Sequence, residues 1–523
     1  MRLTLLAAST AMAAGAALVL PLATANAATT HHEAESAPSV CTGTVDTNWP
    51  GYSGSGFCNG ENATGAYVQF AASASSAGNV TVAVRFANGT TSSRAADLLV
   101  NGTRVQSVSF ESTGAWSTWV TKTLTVALPA GTSTIRLDPT TSGGLPNIDY
   151  ADVTTSGTDP QPADALYVSP TGQDGATGTI GDPTTLTSAL TRVAAGGTIH
   201  LRGGAYNFSQ TVTIPPGNSG TPGALKKLSA YQAEKPVLNF SAQSEDPANR
   251  GLAVNGSYWH VYGVTVERAG DNGIFVGGSN NIFERTVTRF NRDTGLQLSR
   301  MTSDTPKAQW PANNLILSAE SHDNADSDGE DADGFAAKLT SGPGNVFRYA
   351  VAHNNIDDGW DLYTKTDTGA IGTVTIEDSL AYKNGTLSNG GQAGNGDRNG
   401  YKLGGEDIGV DHTIRRSIAF DNGKHGFTYN RNPGSMTMSK NLSIDNDQRN
   451  YTFEAGSTVF RDNTSCRSGS GTNDKVVGNT DSSNQFWMGS NGSRCGSYSG
   501  ALGWSFGADG RLAVTLGGKP VVL

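Results

Sequence analysis

From about Gly251 to Asp462 the chain repeats two small markers in a fixed order, and a repeat constrains a fold more tightly than any single motif. One marker is a glycine that opens an extended apolar segment: Gly273-Ile274, Gly295-Leu296, Gly334-Phe335, Gly359-Trp360, Gly400-Tyr401 and Gly426-Phe427. The other is an asparagine ending a short strand: Asn291, Asn324, Asn355, Asn384, Asn422 and Asn446. In plain repeats the glycine follows its asparagine by four residues, and the period is 22 to 26 residues. Several short strands and tight corners per period predict a parallel β-helix, each coil stacked about 4.8 Å above the last. The asparagines read as structural, because stacked amides can satisfy one another at a bend. Composition agrees, with 66 glycines and only 16% charged residues. A short amphipathic helix over Leu186 to Ala195 is expected to cap the solenoid before a first strand at Thr198-Ile199-His200-Leu201.

Aligning the coils turns sequence position into spatial position. The residue before each glycine runs Thr294, Asp333, Asp358, Asn399, His425, and the residue two after it runs Gln297, Ala336, Asp361, Lys402, Thr428. Side-chain direction alternates along a strand, so each column shares a face. Asp333 then lies one coil below Asp358, and Lys402 one coil above Asp361. With Asp357, these five converge on one patch, and Trp360 falls on the opposite strand face, in the core. The asparagine-to-glycine step grows to ten residues between Asn324 and Gly334 and to sixteen between Asn384 and Gly400. Both insertions leave the solenoid beside the patch, as loops that build a cleft on a rigid scaffold do.

The remaining sequence sets the setting. Arg2, an apolar stretch from Leu3 to Leu22 and Ala25-Asn26-Ala27 have the layout of a secretory signal peptide over 1–27, so the protein is expected outside the cell. A membrane anchor is the lesser alternative, since no other stretch could span a bilayer. In an exported chain Cys41 with Cys58, and Cys466 with Cys495, read as two local disulfides. A net charge of -10 argues against a nucleic-acid partner. A monomer with no membrane partner is expected. Residues 32–154 alternate apolar and polar, as in Val80-Thr81-Val82-Ala83-Val84, which predicts a β-sandwich. A Pro-rich linker over 155–164 separates it from the β-helix domain, 165–523.

Three carboxylates in Asp357-Asp358-Gly359-Trp360-Asp361, with Asp333 stacked on them, repel one another unless a hard cation such as Ca²⁺ collects them. That arrangement suits proton abstraction beside a carboxylate, as at C5 of a uronic acid unit. The cation would neutralise the substrate carboxylate, and Lys402, the only cation in its column beside the aspartates, would take the proton. A lysine must first lose its own proton, so such an activity is expected to favour alkaline pH. The same column would also suit a plain salt bridge from Lys402 to Asp361.

The segments Glu320-Ser321-His322-Asp323-Asn324, Ala332-Asp333-Gly334-Phe335-Ala336-Ala337-Lys338-Leu339, His353 to Tyr363 and Asn399-Gly400-Tyr401-Lys402-Leu403-Gly404-Gly405 together resemble polysaccharide lyase family 9, over roughly Leu166 to Thr464. The resemblance implies a right-handed β-helix that cleaves pectate-type, anionic uronic-acid polysaccharides. It also implies that Asp333, Asp357, Asp358 and Asp361 hold Ca²⁺ and that Lys402 is the base. Arg398, in the long insertion, is a candidate contact for a neighbouring uronate. The sandwich opens with Glu33-Ala34-Glu35 and closes with Asn147-Ile148-Asp149-Tyr150, resembling carbohydrate-binding modules of families 6 and 35. That resemblance implies Ca²⁺ at Glu33, Glu35 and Asp149, a sugar contact at Asn147, and Trp116 or Trp119 as a stacking platform. Two other readings stay open: a β-helix hydrolase of the polygalacturonase kind, working with carboxylic acids and water, and a non-catalytic polysaccharide-binding adhesin.

Overall fold

The structure is a computed structural model describing residues 28–74, 78–129, 131–155, 164–392 and 394–523. The expected leader, 1–27, and positions 156–163 of the expected linker lie outside the described residues. The chain divides into two compact units, Met1–Gln161 and Pro162–Leu523. Among the described residues no helix is long and apolar enough to cross a membrane.

The first unit is a sandwich of two antiparallel sheets, of six and five strands. Alternation sets it: in Val68–Ala74 the residues Val68, Phe70, Ala72 and Ala74 are buried, and those between them are not. They meet Val82, Val84 and Phe86 of the facing sheet in one core. The sandwich starts earlier than residue 32, because Ala28–Glu33 pairs along its whole length with Asn147–Thr155. The Cys41–Cys58 disulfide is formed within it.

The second unit winds three parallel sheets of eleven, ten and ten strands into a β-helix. It begins one strand before the expected one: Ala165–Val168 pairs in parallel with Thr198–Leu201. The intervening helix Leu186–Arg192 is capped by the Thr185 hydroxyl, which accepts from Ser188 N at 3.1 Å. Its buried Leu186, Ala189 and Leu190 close the end of the solenoid core.

The repeat markers have physical causes. Asn291 Nδ2 donates to Asn324 Oδ1 (2.8 Å), Asn324 to Asn355 (2.8 Å), Asn355 to Asn384 (3.0 Å), Asn384 to Asn422 (2.9 Å) and Asn422 to Asn446 (2.8 Å). The buried amides thus satisfy one another from coil to coil. Glycine follows because a Cβ at Gly359 would stand 2.5 Å from Gly400 O and 2.8 Å from Asn384 Nδ2. Inside, the aromatic residues after the glycines stack: Trp360 on Tyr401 (4.8 Å), Tyr401 on Phe427 (4.6 Å) and Phe427 on Tyr451 (5.1 Å).

The solenoid does not run to residue 523. Its last paired strand is Lys475–Val476, and Leu502–Phe506, Leu512–Leu516 and Lys519–Pro520 form a separate antiparallel sheet. Outward-facing Val351, Leu380, Ile418 and Leu442 leave an apolar strip on the solenoid, which Val514, Leu516 and Trp504 of this sheet cover. The Cys466–Cys495 disulfide ties the segment to the last coils.

Candidate active site

One of the three sheets presents an outward column that reads Phe275, Gln297, Ala336, Asp361, Lys402, Thr428 on successive paired strands. The five aligned residues meet there as the coil alignment predicts. Asp333, Asp357 and Asp358 each bring one oxygen within 4.8 Å of the others, a convergence found nowhere else among the described residues. Asp358 Oδ1 accepts from Asn399 N (2.6 Å) and Asn399 Nδ2 (2.9 Å). Asp357 Oδ1 accepts from Arg398 N (3.1 Å) and from Asp397 N. Asp333 Oδ2 accepts from Thr294 Oγ1 at 3.1 Å. Asp361 stands beside this triplet, with its Oδ1 buried and without a hydrogen bond.

Lys402 Nζ lies 3.3 Å from Asp358 Oδ2, 3.7 Å from Asp361 Oδ2 and 3.1 Å from Asp397 Oδ2. Burial alone would lower its pKa, but Asp361, Asp358, Asp357 and Asp333 outweigh burial and raise it. Burial first, then mutual repulsion, pushes Asp333 up to about 7 and Asp358 up to about 8, and raises Asp357 strongly. Without a cation these aspartates are held against their charge. The donors are all carboxylate oxygens, the type hard divalent cations choose, and several are buried with little else to accept from, so the residues present fit Ca²⁺.

Two site residues escaped the column reading. Lys338 is buried, donating to Asp333 Oδ2 at 2.8 Å and lying 3.6 Å from Asp361 Oδ2. In the sequence it closes the apolar run Phe335-Ala336-Ala337, inside a segment that carries the family resemblance but gives it no role. Asp397 bridges Lys402 and Lys424, whose Nζ donates to Asp397 Oδ1 at 2.6 Å. The two insertions touch, with Asn395 Nδ2 reaching Asp328 O at 3.5 Å and Ala325 and Leu387 sharing a small apolar cluster with Ala332 and Ile356. Arg398 brings its backbone to the patch, but its side chain packs over Gly385 and Gly423 and lines a depression with Lys383, Asp421 and Asp447. Trp360 is fully buried, as expected.

In the sandwich, Asp149 Oδ1 accepts from Ser53 N (2.9 Å), Glu33 Oε2 from Ser53 Oγ (2.8 Å) and Glu35 Oε1 from Ser55 N (2.9 Å). The three acids therefore surround one turn, Ser53-Gly54-Ser55, while Arg85 pairs with Asp149. They do not form a converging triplet here. Asn147 is buried, paired to Ala87 of the adjoining strand. Trp119 packs edge-on to Phe57 at 5.2 Å and Trp116 lies over Gly89, both partly exposed.

Residues 166–472 match the family described as "Pel9A-like, right handed beta helix region", and residues 33–155 match "Carbohydrate binding module (family 6)". The Pectate lyase L of Paenibacillus polymyxa (strain SC2) is 53% identical over 354 residues, 66% of this chain and 78% of that protein. The Pectate lyase L of Thermoclostridium stercorarium is 44% identical over 296 residues, 56% of this chain and 23% of that longer protein. The solved structure of pectate lyase Pel9A is 33% identical with a TM-score of 0.56, covering 63% of this chain and 81% of its own. The chain therefore belongs to the Pel9A-like family of right-handed β-helix proteins, and it is a polysaccharide lyase of the pectate lyase type.

Proposed function

We propose that this secreted enzyme cleaves pectate-type uronic acid polymers by β-elimination, with Ca²⁺ held by Asp333, Asp357, Asp358 and Asp361 and with Lys402 as the base. The observation that carries the reading is the placement of the Lys402 amine 3.3 to 3.7 Å from carboxylates of the same buried cluster. When bound, Ca²⁺ supplies the positive charge that offsets the substrate carboxylate as the neighbouring C–H bond weakens. Lys402 takes the C5 proton in its neutral form. The C–H electron pair becomes the C4–C5 double bond, and the C4–O bond breaks toward the leaving chain, which takes a proton from solvent.

The chain's own groups prepare that step. Backbone N–H donors from Asp397, Arg398 and Asn399 fix Asp357 and Asp358, and Lys338 fixes Asp333. Asp397, from the longer insertion, stands against the amine at 3.1 Å. Arg398 and Lys383 offer cations to a polymer carboxylate in the neighbouring depression. The sandwich is assigned to polysaccharide binding, with Glu33, Glu35 and Asp149 for a structural Ca²⁺ and Asn147, Trp116 and Trp119 for sugar contact.

A hydrolase is the weaker reading, because its two carboxyl groups face each other across the scissile bond about 5 to 9.5 Å apart. Here three acids gather on one wall with a lysine against them. Mass spectrometry of the products from polygalacturonate decides: elimination gives one unsaturated end and no added water, hydrolysis adds a water across every cut.

A further inference from the structure

The outward column continues past the site toward the N-terminal coils, and there Phe275 lies under a cation. Phe275 is paired one strand at a time to Gln297, Ala336, Asp361 and Lys402, so it lies four coils from the base, roughly 19 Å at about 4.8 Å per coil. An outward phenylalanine on a polar floor would be exposed, yet Phe275 is 0% exposed. The Arg250 guanidinium covers it, with Cζ 3.3 Å from the ring centroid. Asp271 Oδ2 stands 3.4 Å from Arg250 Nε, at ion-pair distance but without a well-aligned hydrogen bond. Apart from Asp271, no protein acceptor meets this guanidinium among the described residues, and its side chain keeps 28% of its surface open.

We infer that Arg250 is a remote subsite for a uronate carboxylate of the polymer, resting on the elimination reading for the identity of that polymer. A guanidinium has five donors in a planar fork, and Asp271 engages only its Nε side. The Nη edge is left for a bidentate partner. Stacking on Phe275 holds the plane flat on the floor, so little conformational freedom is lost when a carboxylate arrives. Asp293 stands beside Asp271, and burial raises the pKa of both acids. On the next coil Gln297, partly exposed and held by the buried Asn272 Nδ2 that donates to its Oε1 at 3.4 Å, offers an amide suited to a sugar hydroxyl. The subsite selects chains that are long enough to span four coils and are unesterified where they reach Arg250.

Binding in the Lys402→Ala background, with Ca²⁺ present, tests this without relying on turnover. Adding Arg250→Met keeps the stem over Phe275 and removes the fork. The dissociation constant of a galacturonate octamer should rise about tenfold relative to that of a trimer, the scale of one hydrogen-bonded charge. A fully methyl-esterified octamer should not respond. Arg250→Gln provides the same comparison if the Met variant misfolds. An unchanged octamer-to-trimer ratio, or an equal loss for the esterified octamer, overturns the subsite. Failure of the wild-type enzyme to form unsaturated ends overturns the elimination reading instead, and the affinity ratio still decides the subsite.

Discussion

Asp358 and Lys402 occupy adjacent coils and meet with 3.3 Å between Oδ2 and Nζ, although a long insertion separates them in sequence. The same contact that orients the amine also keeps it protonated, because the aspartates raise its pKa above the ordinary lysine value. A cation among the aspartates would relieve that hold. Binding and base activation are therefore linked through one set of charges.

Replacing Lys402 by alanine removes the base and leaves the aspartates in place. Turnover of polygalacturonate should fall by roughly 10²- to 10⁴-fold, the range for a positioned general base. Ca²⁺ affinity measured by calorimetry should hold or rise, since a competing cation has gone.

Asp357→Asn separates the metal from the fold. The Asn Oδ1 can still accept from Asp397 N and Arg398 N, and a buried charge with a strongly raised pKa is gone. The melting temperature in EDTA should stay level or rise, and the extra stability conferred by Ca²⁺ should shrink. A large drop in the EDTA form would show that the charge holds the fold.

Lys338→Met leaves Asp333 and Asp361 without their buried cation, while filling the same space. Losing one partner of a buried pair costs about 3–5 kcal/mol. The metal-free protein should be destabilised on that scale near neutral pH and recover in saturating Ca²⁺, as read by thermal unfolding.

The pH dependence of stability should invert with the metal. Asp333 and Asp358 have folded-state values raised to about 7 and about 8 from an ordinary 3.8, so the folded form binds more protons between those limits. In EDTA, stability should fall as pH rises from about 4 to about 8, and Ca²⁺ should reverse the trend. Buried His412 acts in the other sense: its value is lowered from 6.5 to about 3 by burial, so its contribution is lost as pH falls through that window. Melting curves across pH with and without EDTA, together with His412→Gln, separate the two.

The coil architecture was legible because the central coils, from Asn291 to Asn446, obey the same packing. The asparagine ladder needs an amide at one corner, and the close approach of coils needs glycine after it. Once those columns aligned, strand alternation carried Asp333, Asp357, Asp358, Asp361 and Lys402 to one face. Lys338 was not legible, since it lies beyond the strand Phe335–Ala337 and reaches back to Asp333 by side-chain length. Asp397 sits in an insertion with no register to align, and only folding brings it against Lys402. The same limit hid the C-terminal sheet, whose place is set by an apolar strip on the outside of the solenoid. Arg250 belongs to no column, and its position over Phe275 follows from a loop.

The most direct test of Lys402 and cation-assisted elimination is the ultraviolet absorbance of unsaturated products formed from polygalacturonate. Wild-type enzyme should produce it with Ca²⁺, lose it in EDTA and regain it when Ca²⁺ is restored, while Lys402→Ala should produce it roughly 10²- to 10⁴-fold more slowly even with Ca²⁺. Reducing ends released without that absorbance, or undiminished absorbance in EDTA, would contradict the account.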